Sequence, residues 1–180
     1  GGNEFIDKIA ITDSYESIKA RILSKEVDTI IIVANSFDAA KLIQYLRVNK
    51  INKPILCSGW AKTLDFLVEG GSSVENVLFN TGYDDNSTNK EYLKFIQLYE
   101  KKYNKKPSVF SAQAYETAII LIQTLRDDNN ILKLKRNILN KKSFVGLQGN
   151  IIFDKYGDVN REYFMMQVKN GKYVRIGNNE

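Results

Sequence analysis

Residues 27–60 read VDTIIIVANSFDAAKLIQYLRVNKINKPILCSGW, and this stretch decides the fold. Thr29 to Val33 (TIIIV) is a continuous β-branched run, the pattern of a strand buried on both faces of a parallel sheet. A helix follows from about Phe37 to Asn49, with Leu42, Ile43 and Leu46 inward and Arg47 and Lys50 outward or terminal. Pro54 to Cys57 is a second short apolar strand. Strands alternating with helices at this spacing imply right-handed βαβ units.

The same rhythm extends to either side. Upstream, Phe5 to Ile11 reads as a strand, and Ser14 to Lys25 as a helix with Ile18, Ile22 and Leu23 along one stripe. Downstream, a short helix carries Leu64, Leu67 and Val68 and is ended by Gly70-Gly71. Val74 to Phe79 then gives a fourth strand.

After residue 80 the rhythm breaks. Asn80 to Asn89 is polar and turn-rich. Two long helical patterns follow, Asn89 to Tyr103 (Tyr92, Phe95, Ile96, Tyr99) and, past Pro107, Ser108 to Arg126 (Phe110, Ala114, Ala118, Ile119, Ile122). A third runs from about Ile131 to Leu139. With no strand between them, these helices read as the cover of a different sheet. The chain closes on strands at Gly149 to Phe153, Tyr163 to Val168 and Lys172 to Ile176, the last two joined by the hairpin signal Asn170-Gly171. The fold class read from these patterns is α/β, a parallel Rossmann-like sheet with a separate helical part and a C-terminal β-hairpin.

Composition narrows the function. Hydrophobic residues make up 43% of the 180, enough for a sizeable core. The net charge is +5, but the lysines fall in short groups, mostly at helix ends, where cations complement the dipole. That is a solvated basic surface, and no nucleic-acid partner is expected. Histidine is absent, which removes the commonest general base and metal ligand. The single cysteine, Cys57, sits in an apolar stretch and reads as a buried structural thiol. No dinucleotide, phosphate-loop or nucleophile-elbow signature occurs. Asp84-Asp85, Asp127-Asp128 and Asp154 with Asp158 lie in turn sequences and read as turns. No catalytic residue, metal or cofactor is expected.

Two loops draw attention because ligands of open parallel sheets sit outside the carboxyl ends of the strands. Asn35, Ser36 and Phe37 follow the first strand of the opening stretch, and Ser58, Gly59 and Trp60 follow the second. Each loop offers small polar groups beside one aromatic ring, the mixture a small-molecule site uses. Alternatively, Ser36 or Asp38 caps the next helix and Trp60 plugs the sheet edge. Pattern alone leaves both readings open.

In this order these pieces resemble the type I periplasmic binding proteins, in particular the branched-chain amino-acid-binding group of ABC transporters. The resemblance runs through VDTIIIVANSFDAAKLIQYLR, KPILCSGWAKTLDFL and VENVLFNTGYDDNS, and on to EYLKFIQLYEKKYNKKPSVFSAQAYETAIILIQTL and SFVGLQGNIIFDKYGDVNREYFMMQVKNGKYV. Its most specific parts are Y-x-x-x-Y-x-K-x-P-S-x-F-x-A-x-A-Y from Tyr99 to Tyr115, G-x-I-x-F-D-x-x-G-D from Gly149 to Asp158, and the V-K-N-G-K hairpin.

The resemblance implies a solute trap outside the cytoplasm, periplasmic or a cell-surface lipoprotein, serving an ABC permease. An amino acid or small organic acid would be closed between two lobes. A ligand-sensing ectodomain of a receptor or sensor kinase is the alternative. It further implies that residues 1–81 and 159–180 form the C-terminal lobe, that 84–153 form the helical part of the N-terminal lobe, and that the crossovers lie near 82–83 and 154–158. On this reading the chain is the C-terminal half of a family member, with apolar edges open to self-association. Asn35 to Phe37 and Ser58 to Trp60 would face the ligand from one lobe, and Phe110 from the other. The position at which amino-acid binders of the family place an acidic residue falls on Gly59 here.

Overall fold

The computed structural model describes residues 7–177, and the chain divides into two compact units. The first comprises the residues up to Thr81 together with those from Phe164 on; the second runs from Gly82 to Tyr163.

The first unit is the alternating α/β part. Its elements are α1 (Tyr15–Leu23), β1 (Ile30–Ile32), α2 (Ser36–Val48), β2 (Ile55–Ser58), α3 (Leu64–Gly70) and β3 (Leu78–Thr81). Strands β1, β2 and β3 pair in parallel, Ile32 opposite Cys57 and Cys57 opposite Phe79. The C-terminal hairpin belongs to the same sheet. It consists of two later strands, Phe164–Lys169 and Lys172–Ile176, and the first of these pairs antiparallel with β3, Thr81 opposite Phe164. The hairpin turns on Asn170 and Gly171, both at positive φ (53° and 67°), as a two-residue turn with matching twist requires. Glu75 accepts the Asn170 backbone N–H at 2.6 Å.

One apolar cluster holds this unit. Ile18 and Ile22 of α1, Leu42, Ile43 and Leu46 of α2, Phe66 of α3, and Ile55, Cys57, Phe79, Met166 and Val168 of the strands are all buried in it. Phe79 sits between two edge-on rings, Phe66 at 5.1 Å and Tyr173 at 5.4 Å between centroids.

Three expectations need correction here. The run TIIIV is not buried on both faces: Ile31 and Val33, which alternate with the buried Ile32 and Ala34, are 50% and 69% exposed, and β1 is one of the two outer strands of the sheet among the described residues. The expected strand at Phe5 to Ile11 lies partly outside the described residues. Within them, 7–11 has no strand pairing, and Ile9 and Ile11 pack against the core instead. The fourth strand also starts later than expected, because Val74 closes a one-turn 3-10 helix (Gly71–Val74) before β3 begins.

The second unit contains α4 (Lys90–Tyr103), α5 (Val109–Asp127) and α6 (Leu134–Lys141), then a three-stranded antiparallel sheet. Its strands are β4 (Ser143–Gly146), β5 (Gly149–Phe153) and β6 (Val159–Asn160). In chain order the hairpin of the first unit thus becomes β7 and β8. The helices start where their caps dictate: Asn89 accepts from Glu91 N–H, and Ser108 forms a reciprocal capping box with Ser111.

The apolar stripe expected on α5 is not its buried face. Ala112, Glu116, Ile120 and Thr124 are buried, whereas Phe110 and Ile122 are half-exposed and Ala114 and Ala118 exposed. Among the described residues, no helix is long and apolar enough to cross a membrane.

Candidate functional site

Because β1 and β2 are parallel neighbours, the two loops after them emerge at the same edge of the first unit's sheet. The sequence reading of that edge holds geometrically, and the side chains divide between capping and open surface. Asn35 is the N-cap of α2. Its Oδ1 accepts the Asp38 N–H at 3.0 Å, and its Nδ2 donates to the Asp38 carboxylate at 2.7 Å. Capping therefore falls to Asn35 with Asp38 as partner, and Ser36 is the first helical residue, half-buried. Phe37 follows, 45% exposed, with the Lys41 ammonium 6.0 Å from its ring centroid.

The second loop is tighter. Ser58 ends β2 opposite Asn80 of β3, and Gly59 opens a single 3-10 turn (Gly59–Ala61). A Cβ on Gly59 would come 3.1 Å from the Asn80 carbonyl oxygen, so the close pass over β3 favours glycine at this position. Trp60 stands out from that turn with 71% of its surface exposed. It does not plug the sheet edge. The Ser58 hydroxyl is buried and has no hydrogen-bond partner among the described residues, which is costly unless something else meets it.

Phe110 lies in the second unit, at the second helical residue of α5, and is half-exposed. The structure thus brings Asn35, Ser36, Phe37, Ser58, Gly59 and Trp60 to one edge, with Phe110 in a different unit. A cavity of about 960 Å3 lies elsewhere in the first unit, lined by 7–11, α1 and 27–33.

Several polar residues around these elements were not singled out by the sequence. Lys62, directly after the Trp60 turn, is buried, with its ammonium 4.9 Å from the Tyr173 ring centroid; the Tyr173 hydroxyl donates to the Thr63 carbonyl at 2.7 Å. In the second unit, Glu116 of α5 accepts from Arg161 at 2.9 Å and from the Leu147 backbone N–H at 2.7 Å. The Arg161 guanidinium lies 4.5 Å from the Tyr83 ring centroid. Burial opposes the Arg161 charge, but the Glu116 carboxylate and Tyr83 outweigh it and hold its pKa above the ordinary value. Burial, reinforced by Glu116, pushes the Tyr83 phenol up as well. No spacing rule could have paired residues 116 and 161.

The remaining polar candidates are structural. Asp154 Oδ1 accepts the backbone N–H groups of Tyr156, Gly157 and Asp158, which makes the Asp154–Asp158 segment a side-chain-closed turn. Burial pushes the Cys57 thiol up to about 12, so it is not a nucleophile at neutral pH.

The comparisons with known proteins agree with this architecture. The family model described as periplasmic binding protein matches residues 5–172. No curated protein matches the chain significantly. Among solved structures, a leucine-binding protein from Thermotoga maritima superposes with a TM-score of 0.82 at 24% identity, covering 91% of this chain and 48% of its own. A branched-chain amino-acid transporter substrate-binding protein from Streptococcus pneumoniae, in complex with isoleucine, gives 0.77 at 24% identity, covering 91% and 49%. A solute-binding protein of an ABC transporter from R. palustris, in complex with benzoate, gives 0.77 at 21% identity, covering 94% and 48%. The chain thus spans about half the length of the solved structures it matches. With the family model running through nearly all of it and the mixed sheet and helices in the matching order, the chain belongs to the periplasmic binding protein family and has its type I fold.

Proposed function

We propose that this chain is part of the extracytoplasmic solute-binding component of an ABC importer, binding an amino acid or a small organic acid and catalysing nothing. The observation that carries the reading is the sheet edge of the first unit. Two adjacent loops there present Phe37 and an exposed Trp60 beside the buried Ser58 hydroxyl, which has no partner among the described residues. Aromatic walls with a few placed polar groups suit a small ligand that carries an apolar part. Neighbours of the same fold include a leucine-binding protein and proteins in complex with isoleucine or benzoate, and both classes of solute have that character.

In this reading the first unit is the C-terminal lobe and the second, three helices with a three-stranded sheet, is part of the N-terminal lobe, with the return crossing taken after β6, near 161–163, in place of 154–158. Ligand binds the loops of one lobe, and hinge closure at the crossings buries it, with Phe110 approaching from the other lobe. The closed form is what the permease recognises. Gly59 leaves no carboxylate in the second loop to meet an ammonium, which favours an organic acid over an aliphatic amino acid. The outer edge of β1, unpaired among the described residues, offers this chain, on its own, a route to self-association. Concentration-dependent sedimentation would read that out.

The test is a thermal-shift panel on the full-length gene product with leucine, isoleucine, benzoate and other amino and organic acids. One solute at 100 times its Kd is expected to add about 2.7 kcal/mol, a rise of several degrees. Trp60→Ala should abolish that rise and leave the unliganded Tm unchanged. A flat response across the panel would refute the reading.

A further inference from the structure

The second unit contains a charge pair that the proposed ligand site does not use. Glu116 and Arg161 have side chains only 5% and 14% exposed, and they meet at 2.9 Å. Taking two charges out of water is costly, and a well-packed apolar pair of similar volume commonly serves stability as well or better. What an ion pair adds is a fixed geometry, and the groups around this one share a location.

Both chain crossings pass through it. The chain leaves the first unit at Thr81 and returns at Phe164, a directly opposed pair of β3 and β7. Immediately beyond Thr81, Gly82 lies under the Arg161 side chain, close enough that a Cβ there would stand 3.2 Å from its Cδ and Nε. Tyr83 lies under the guanidinium. Asp84 is bound twice by Gln148, its N–H donating to Oε1 at 2.9 Å and its carbonyl accepting from Nε2 at 2.7 Å. Glu116 then anchors Arg161 to α5 and to the β4–β5 turn through Leu147 N–H, and Gly146 leaves the space its carboxylate fills.

We propose that Glu116 and Arg161 are positioning residues for the hinge: they pin the outgoing crossing (82–84) and the returning one (161) to the second unit, confining bending to the few residues between Arg161 and Gly82 on one side and the Thr81–Phe164 pair on the other. This rests on the two-lobe closure proposed above. A short, laterally braced double crossing bends about one axis; without the brace, the pivot spreads back into residues 82–84 and 161.

The experiment is pulsed electron-spin distance measurement on the ligand-free full-length protein in a Cys57→Ala background. One label pair, at Lys41→Cys and Lys94→Cys, spans the two units; a second, at Lys94→Cys and Lys135→Cys, lies within the second unit. The expected result is that Arg161→Met broadens the inter-unit distribution at least twofold, with Arg161→Lys intermediate, and leaves the distribution within the unit unchanged. Should Arg161→Met fold poorly, the apolar double variant Glu116→Leu with Arg161→Met restores packing without the forked hydrogen bonds and is expected to broaden the same distribution. An unchanged inter-unit width in the double variant would overturn the proposal, as would equal broadening within the second unit. Shortening of the inter-unit distance in the wild type with leucine, isoleucine and benzoate tests closure separately, so its failure is not confused with failure of the brace.

Discussion

The two units solve the burial problem differently. The first gathers its buried apolar side chains into one cluster around the sheet, and its buried polar groups, Ser58, Lys62 and Thr81, lie at or just past the ends of β2 and β3. The second is split into two small clusters, one of rings around Tyr83, Tyr92 and Phe95, the other around Ile120, Phe144 and Ile151. Between these clusters it spends a buried ion pair and a buried Gln148–Asp84 amide link. An apolar core tolerates small displacements because its attraction has no preferred direction. A buried charge network holds one geometry and fails sharply when a member is removed. The first unit is therefore suited to carry the loops, and the second to define where the chain crosses.

Mutations can break that contrast. The largest effect is expected from Phe79→Ala, which removes the ring between Phe66 and Tyr173 and should cost about 4 kcal/mol in urea unfolding. Its loss should appear in amide exchange across β1, β2 and β7 and spare α4 and α5. Arg161→Met leaves the Glu116 carboxylate buried without its partner and should cost about 3 kcal/mol, localised to the second unit. If the added substitution Glu116→Leu does not recover most of that cost, the network is not what separates the two units. Tyr173→Phe loses a single hydrogen bond to the Thr63 carbonyl and should cost about 1 kcal/mol. Trp60→Ala, on an exposed ring, should change stability by less than about 0.5 kcal/mol. A large loss there would mean that Trp60 is packing, not ligand wall.

The same contrast explains how much the sequence disclosed. Periodicity located α1, α2, α4, α5 and the C-terminal hairpin to within a residue or two at most ends, because all but α2 have a local signal there: the Ser14, Asn89 and Ser108 caps, or Asn170-Gly171. It misjudged the surroundings of elements. Ile31 and Val33 look like core, yet they alternate with the buried Ile32 and Ala34 and so share the face of β1 that is left uncovered among the described residues, a fact no window of residues contains. On α5 the more apolar stripe through Phe110 and Ile122 is exposed while Glu116 is inside, because its partner is 45 residues away. The Ser143–Gly146 strand was not read, because Phe144 is its one buried large side chain and no apolar run marks it.

At the candidate site, strand order alone brought Asn35–Phe37 and Ser58–Trp60 to one edge. Which atoms are free was not legible. Asn35 and Asp38 are committed to each other, whereas the Ser58 hydroxyl has no partner among the described residues. Lys62 was passed over because nothing local marks a lysine as buried.

Trp60 gives the most direct test of the central claim, since it is the only tryptophan in these 180 residues. Its fluorescence would be followed in the full-length protein, with any tryptophan outside this chain replaced by phenylalanine, as leucine, isoleucine or benzoate is added. The account predicts a saturable change in Trp60 emission with one of these solutes or a close relative, weakened by Phe37→Ala. A solute that stabilises the protein without altering Trp60 emission would place the ligand elsewhere and contradict it.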